Sequence, residues 1–392
     1  MPMRCRLLKA LSSCSLAIVM GGLSCSRPFW RFEKPKNQTE SVAEKPAPQP
    51  AQADAGSDLR MFGRQGRARD IAFAGSAVTN LKQHTTPSDG ADFDPDIDPT
   101  GKLIVYASTR NSPNSHLYVK SINGATITQI TDGAGNDTQP KFDPTGARIA
   151  FSSDRGGHWD VWAVDANGRN PIQITNNAMP ELCPSWAPDG KRLVYCRVNP
   201  KANRSELWVV GMDNPGVKRL IGEGLFPAWS PKGNKIAYQR ARNVGSQWFS
   251  IWTIEIYDQE VLFPTEVAAS PSAALISPAW SPDATQIAFT IIDPQKMHGG
   301  GASAAHAGLQ QADIAIVDAD GRGLHRLTDG DGAHYSPTWS SDGRIYFSTR
   351  NQTSETLWSV KPFRPAMLGE PPSAQTANQR RAVKATDEDM EN

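Results

Sequence analysis

Short apolar runs, separated by polar turns, recur along the middle of the chain at nearly equal spacing. Six copies of a segment that begins with proline and ends in a turn are present, starting at Pro95, Pro140, Pro184, Pro227, Pro278 and Pro337. Their last residues stand 45, 44, 43, 51 and 59 positions apart. Each copy holds the first β-rich run of its unit. It is followed by a second run such as LIVYAS or RIAFSS, a third such as LYV or VWAV, and then a fourth. Four short strands per unit, at a period of roughly 40 to 45 residues, are typical of a propeller blade.

The repeats predict an all-β, six-bladed β-propeller over residues 77–363. A single four-stranded sheet cannot bury both of its apolar faces, whereas six sheets packed around an axis bury all of them. The last repeat has only three such runs, and residues 78–81 stand before the first repeat as residues 127–130 stand before the second. We therefore predict that this N-terminal strand closes the last blade and removes a free sheet edge.

The two ends of the chain differ in composition from the repeats. Arg4, Arg6 and Lys9 precede an apolar run over residues 10–23, and residues 22–25 (GLSC) have the form of a lipidation signal. We predict a signal peptide over residues 1–24, with Cys25 lipidated as the first mature residue; cleavage by the ordinary signal peptidase is the alternative. Residues 25–76 are rich in Pro and Ala and predict a disordered linker, and residues 364–392 predict a disordered tail. The expected location is the periplasm, with a lipid anchor as the only membrane contact.

Export leaves Cys183 and Cys196 as the cysteines of the mature domain. If two strands pair across the turn at residues 189–190, Trp186 faces Leu193 and Cys183 faces Cys196. Directly opposed residues can come within disulfide range, and an exported protein meets an oxidising compartment. We predict a disulfide between these two cysteines.

The overall charge argues against one class of partner. The sequence also contains no clear cofactor motif. The chain has 41 Lys and Arg against 40 Asp and Glu, for a net charge of +1, which argues against nucleic-acid binding. Asp94, Asp96 and Asp98 have the spacing of the start of a calcium loop, but Pro99 stands where that loop requires glycine. We expect no metal and no other cofactor.

One position of the repeat predicts a candidate binding site. The loops that vary in length lie on one face of the propeller, where loops on a rigid scaffold usually carry function. The residues three positions before each repeat proline lie on this face, at the axial mouth: Asp92, Asp137, Glu181, Gly224, Leu275 and His334. The three acids and His334 form either an arc that captures a basic peptide or a cation, or a set that accepts hydrogen bonds from loop amides.

These units resemble the TolB-type propeller repeat, whose run P-x-W-S-P-D-G-x-x-I-A-F is matched closely over residues 140–164 and 184–209. The resemblance implies a periplasmic propeller of the Tol–Pal envelope system that docks a peptidoglycan-associated lipoprotein. TolB carries an α/β domain before its propeller, and here a lipidation signal and a linker occupy that place. Propellers of prolyl-oligopeptidase-like peptidases share the repeat, but their hydrolase domain needs a G-x-S-x-G motif that this chain does not contain.

Together these features predict a monomeric, non-enzymatic, envelope-tethered propeller for protein–protein interaction. Its expected partner is an envelope protein such as a Pal-like lipoprotein. The alternative is a periplasmic propeller, binding protein or enzyme, that uses its axial pocket for a carbohydrate or a peptide.

Overall fold

The computed structural model describes residues 79–199, 204–241, 249–257, 260–293, 312–329, 332–351 and 354–362. All of the regular elements in these ranges are β-strands, which confirms the all-β prediction. None of the described residues forms a helix with the length and apolar character needed to cross a membrane.

Four sheets each contain four antiparallel strands that follow one another along the chain. The first unit contains β2 (Asp92–Ile97), β3 (Leu103–Ser108), β4 (His116–Ser121) and β5 (Ile127–Gln129). The second contains β6 (Asp137–Phe142), β7 (Arg148–Ser153), β8 (Asp160–Asp165) and β9 (Ile172–Gln173). The third contains β10 (Glu181–Trp186), β11 (Arg192–Asn199), β12 (Arg204–Gly211) and β13 (Lys218–Glu223). The fourth contains β14 (Leu225–Trp229), β15 (Lys235–Ala241), β16 (Phe249–Tyr257) and β17 (Glu260–Ala268).

The remaining strands form one eight-stranded sheet. They are β18 (Ala274–Trp280), β19 (Gln286–Ile292), β20 (Ala312–Asp318), β21 (His325–Arg326), β22 (Ala333–Trp339), β23 (Ile345–Arg350), β24 (Glu355–Lys361) and β1 (Thr79–Gln83). A single parallel pair, Ala312 with Ala333, joins β20 to β22, so the sheet divides into a fifth unit (β18–β21) and a sixth (β22–β24 with β1). The propeller arrangement is confirmed; the count of six blades depends on this division and stays a prediction.

The N-terminal strand joins the sixth unit, as the sequence predicts, but in a different register. β1 pairs antiparallel with β24. The backbone N–H of His84 donates to the carbonyl of Leu357 at 2.8 Å, as that of Ile130 donates to Leu117 in the first unit. His84, and not Leu81, therefore occupies the position of Ile130, and Leu81 is exposed.

A β-bulge precedes the repeat proline in every first strand. The residue before each of these prolines has a positive φ between 49° and 58°: Asp94, Gln139, Cys183, Phe226, Ser277 and Ser336. The bulge turns its N–H toward the preceding unit, where that of Asp94 donates to Ser348 Oγ at 3.0 Å and that of Ser277 donates to Gln239 Oε1 at 2.9 Å. These hydrogen bonds between units offset the cost of the left-handed backbone.

The bulge also makes the predicted disulfide geometry wrong. Trp186 faces Leu193, as expected, but the register then shifts and Cys196 faces Leu182. The extra residue in the bulged strand displaces Cys183 from the position opposite Cys196. Both cysteines are buried, and the structure joins neither in a disulfide.

Tryptophans two residues after the repeat proline connect neighbouring units. The indole N–H groups of Trp186, Trp280 and Trp339 donate to backbone carbonyls of the preceding unit at 3.1, 3.0 and 3.2 Å. Burying a Trp side chain removes a large apolar area from water, and the indole N–H needs a partner when it is buried. Each of these residues thus contributes both packing and a directional contact between units.

Candidate functional site

The connections between second and third strands, and those between units, lie on one face of the ring. We call it the mouth face. It follows from the antiparallel order of each unit, because alternate turns of such a sheet lie at opposite edges. The first residues of β2, β6, β10 and β22 lie at this edge, which brings Asp92, Asp137, Glu181 and the neighbourhood of His334 to one end of the molecule.

In the first unit, Asp92 forms a two-point ion pair with Arg110. Arg110 Nη2 lies 2.9 Å from Oδ1 and 2.7 Å from Oδ2 of Asp92, and Ser108 Oγ donates to Oδ1 at 2.6 Å. The carboxylate is fully buried, whereas 16% of the Arg110 side chain is exposed. Although burial lowers the pKa of Arg110, the hydrogen bonds and charge of Asp92 outweigh it and raise that pKa.

In the second unit, Asp137 pairs with Arg155 and His116. Arg155 Nη2 donates to Asp137 Oδ2 at 2.7 Å, and His116 Nδ1 lies 3.5 Å from the same oxygen. Burial alone would raise the pKa of Asp137, but hydrogen bonds from His116 and Thr131 and the charge of Arg155 outweigh it. The pKa is lowered as a result, and the carboxylate stays ionised at neutral pH.

In the third unit, Glu181 forms its ion pair with an arginine that stands at a different position in the repeat. Nε and Nη2 of Arg197 donate to Glu181 Oε1 at 2.9 and 2.6 Å, and Tyr195 Oη lies 3.3 Å away. Lys218 Nζ lies 3.7 Å from the other carboxylate oxygen. Arg197 stands within β11, at the position of Ser108, and the longer glutamate suits this closer arginine.

The other three units do not continue the arc of acids. Gly224 leaves Arg240 without an acid at this position, and Arg240 stacks on Trp252 with its guanidinium carbon 5.2 Å from the ring centroid. Leu275 is fully buried in an apolar cluster. His334 Nδ1 lies 3.0 Å from Thr349 Oγ1, and its ring packs edge-on against Phe347. The predicted site residues therefore share one face but do not converge on a common point through any contact in the described residues.

The arginines of the mouth face were the site residues that sequence analysis missed. The guanidinium groups of Arg110 and Arg197 stack over aromatic rings of the third strand, at 5.4 Å for Arg110 on Tyr118 and 4.1 Å for Arg197 on Trp208. Such contacts add to the ion pairs where water is excluded. The signal was present in the S-x-R sequence that ends at Arg110, whose Nε lies 3.2 Å from Ser108 Oγ.

A cleft of about 530 Å³ lies beside the third pair, between the second and third units. Amide, guanidinium and ammonium groups line it, from Gln173, Asn176, Asn177, Arg197 and Lys218 among others. Asp160 is buried near the same cleft and accepts hydrogen bonds from Gln173 and the backbone of Asn177. Burial, with the charge of Glu181, raises the pKa of Asp160.

The remaining predicted positions contribute less to a candidate site. Asp98 accepts the backbone N–H groups of Thr100, Lys102 and Leu103 and so closes the first turn of the repeat. Among the described side chains no group of three His, Cys, Asp or Glu residues is placed to hold a metal ion. Cys25, the linker and the C-terminal tail lie outside the described residues.

Comparison with known proteins agrees with this architecture. The family model for the TolB beta propeller domain matches residues 73–204, and no curated protein matches the chain. A putative TolB from Agrobacterium tumefaciens is 20% identical with a TM-score of 0.53, over 70% of this chain and 91% of that one. TolB from Acinetobacter baumannii is 14% identical with a TM-score of 0.52, over 68% of this chain and 65% of that one. The tricorn protease is 16% identical with a TM-score of 0.50, over 72% of this chain and 27% of that one.

The repeated four-stranded units and these matches define the class of protein as a β-propeller. Within that class, residues 73–204 match the TolB beta propeller domain, and the fold is similar to that of the two TolB structures.

Proposed function

We propose that this protein is a non-catalytic interaction propeller of the bacterial envelope and that it binds a protein partner on its mouth face. The TolB-like fold supports this proposal, because the family it resembles works in the Tol–Pal system by docking a peptidoglycan-associated lipoprotein. A Pal-like lipoprotein is therefore the partner we propose.

The observation that carries the proposal is the state of the mouth carboxylates. Asp92, Asp137 and Glu181 have no exposed side-chain surface, and each is bound by an arginine at 2.6–2.7 Å. The lowered pKa of Asp137 keeps that group ionised, whereas a general acid or base needs a pKa near the working pH. These groups therefore suit a rigid scaffold that presents loops better than they suit proton transfer.

The ion pairs also make it costly for a basic partner to bind the carboxylates of the predicted arc. A basic partner would have to take each carboxylate from its arginine, and breaking a buried pair in this way costs roughly 3–5 kcal/mol. We therefore place first contact with a partner on the exposed loop residues beside the pairs, such as Asn111 and His158. The arc formed by Asp92, Asp137, Glu181 and His334 stays a prediction.

We further propose that residues 25–76 tether the propeller to a membrane through lipidated Cys25. We also propose a periplasmic location and a monomeric state. Metabolic labelling with a lipid precursor, compared between the wild type and Cys25→Ala, tests the anchor directly.

The partner is tested by calorimetric titration of the propeller with the soluble domain of a Pal-like lipoprotein from the same cells. Asn111→Glu with His158→Glu adds charge to the mouth face, in the loops between β3 and β4 and between β7 and β8. Asn123→Glu with Asn167→Glu is the matched control on the opposite face. Binding that weakens at least tenfold only in the mouth-face variant supports the proposal. Absence of binding, or equal weakening in both variants, contradicts it.

A second candidate is a binding protein for a carbohydrate or a peptide, and the cleft between the second and third units favours it. Its volume lies in the range of small-ligand sites, and its amide and charged groups can hydrogen-bond to hydroxyl or peptide groups. A panel of neutral trisaccharides and tripeptides, scored by the rise in melting temperature, tests this candidate. Loss of the rise in Asn176→Ala but not in Asn123→Ala would assign binding to the cleft.

A further inference from the structure

The outer strands of four units are followed by the same two-residue pattern, and one copy of it carries a histidine. Ile130, Ile174 and Leu327 each donate their backbone N–H to the third strand of their own unit at 2.7–2.9 Å. His84 makes the equivalent bond to Leu357 at 2.8 Å. Each of these residues is followed by a threonine whose Oγ1 accepts a second N–H from that third strand at 2.9–3.0 Å. His84 thus replaces a buried aliphatic residue in the one outer strand that comes from the other end of the chain.

The His84 side chain is built into the closure of the ring. Only 8% of the residue is exposed. Its Nε2 lies 2.8 Å from Ser359 Oγ on β24, and its ring centroid lies 4.8 Å from that of Tyr346 on β23. Lys120 of the first unit donates to the His84 carbonyl at 2.7 Å. His84 therefore joins β1 to the sixth unit by its side chain and to the first unit by its backbone.

The groups that surround this imidazole disfavour a positive charge on it. Lys82 lies on the same strand, Lys120 on β4 of the first unit and Arg344 before β23 of the sixth. Burial, and then the charges of these three cations, lower the pKa of His84 to about 4; a backbone hydrogen bond with Ile122 acts in the opposite direction. Asp342 raises the pKa of Tyr346, the ring that lies against His84, but it is not among the charges that shift the pKa of His84. Among the described residues, the charged groups that shift the pKa of His84 are all positive.

We propose that His84 is a proton-sensitive latch, which holds β1 in the sixth unit at neutral pH and releases this strand in acid. When the strand detaches, the imidazole enters water and takes up a proton, which the closed state resists. Because the pKa is lower in the closed state, the latch is at full strength above the ordinary histidine pKa of about 6.5. It weakens as the pH falls from there toward 4. β1, which follows residues 1–78, would separate from β24 while the other units stay closed. This inference does not depend on the proposed partner.

Hydrogen exchange on the full-length protein at pH 7 and pH 5, corrected for the intrinsic exchange rate, measures the opening. From the two pKa values the opening equilibrium for the His84 N–H should increase by up to roughly 20-fold between pH 7 and pH 5. The N–H groups of Ile130, Ile174 and Leu327 are internal controls, because they make the same hydrogen bond beside an aliphatic side chain. Their opening should change less than threefold.

Two variants separate the imidazole from the strand itself. His84→Ile installs the residue found in the first two units and should abolish the acid-induced opening. Leu81→His combined with His84→Ile moves the histidine to an exposed position on the same strand, and it too should remain insensitive to acid. The inference is overturned if the wild-type His84 N–H changes no more than the internal controls. It is also overturned if a folded His84→Ile variant opens in acid as the wild type does.

Discussion

Removing one partner of the ion pair between Arg155 and Asp137 should destabilise the fold strongly, and Arg155→Met tests this. The substitution keeps an unbranched side chain but leaves a fully buried carboxylate without its cation. Removing one partner of a buried pair costs roughly 3–5 kcal/mol. Because 21% of the Arg155 side chain is exposed, we expect the lower end, about 3 kcal/mol at pH 7. At roughly 2–4 °C per kcal/mol for a large domain, the melting temperature should fall by about 6–12 °C.

The pH dependence of this loss distinguishes an unpaired charge from a packing defect. In the wild type the lowered pKa of Asp137 stabilises the fold above the ordinary aspartate pKa, and this contribution is lost as the pH falls through the folded-state value. Arg155→Met removes the charge and the hydrogen bond of Arg155, two of the causes that lower the pKa of Asp137, while the hydrogen bonds from His116 and Thr131 remain. The pKa of Asp137 should therefore rise relative to that of the wild type, so that protonation relieves the defect. The melting temperature of Arg155→Met should therefore approach that of the wild type between pH 7 and pH 5.

Two further variants complete the test. Adding Asp137→Asn to Arg155→Met should recover at least half of the lost stability, because a neutral amide is less costly to bury than an unpaired carboxylate. Arg322→Met should change the melting temperature by less than 1 °C, since Arg322 and Asp320 lie 3.7 Å apart with side chains 85% and 58% exposed. The reasoning is refuted if the loss in Arg155→Met is the same at pH 7 and pH 5, or if the double variant is no more stable than the single one.

One further substitution and one mapping experiment test particular contacts, by thermal melting and by mass spectrometry. Gly224→Ala should destabilise the fourth unit by about 1–3 kcal/mol, because a Cβ there would overlap the ring of Tyr238 and lie 3.0 Å from a backbone carbonyl; an unchanged melting temperature would contradict this. Peptide mapping after alkylation without reductant should find Cys183 and Cys196 both alkylated once the protein is unfolded, and a recovered peptide that links the two would contradict the register of the third unit.

The repeat spacing predicted the architecture well, because strand length, turn sequence and apolar alternation are local properties. It could not predict the bulge before each proline, since a residue before proline usually avoids positive φ and no glycine marks the site. That one inserted residue displaced Cys183 and with it the disulfide prediction. The register of β1 could have been found: Thr85 matches Thr131, and this match aligns His84 rather than Leu81 with Ile130.

The candidate site was predicted as a set of positions but not as a set of contacts. The position three residues before each repeat proline lies at or beside the start of each first strand, because strand direction follows from the order of turns. Whether Asp92 is available or paired depends on where Arg110 folds back, and that requires the geometry of the loop between β3 and β4. Only the S-x-R sequence hinted at it, and the glutamate and arginine of the third unit do not share that spacing.

Among the described residues, the mouth face has a charged sector and an apolar sector, and this division constrains a partner that contacts them. The first three units place arginines at its edge, paired with buried carboxylates and partly exposed themselves. Toward the fourth and fifth units the same edge becomes apolar, where partly exposed Phe226 and Phe249 pack on a cluster that includes Ile276. A partner surface that is only charged would leave the apolar sector exposed to water. A partner surface that is only apolar would remove water from the guanidinium groups without replacing their hydrogen bonds. We therefore expect a partner of this face to place apolar side chains on one side of its contact and hydrogen-bond acceptors on the other.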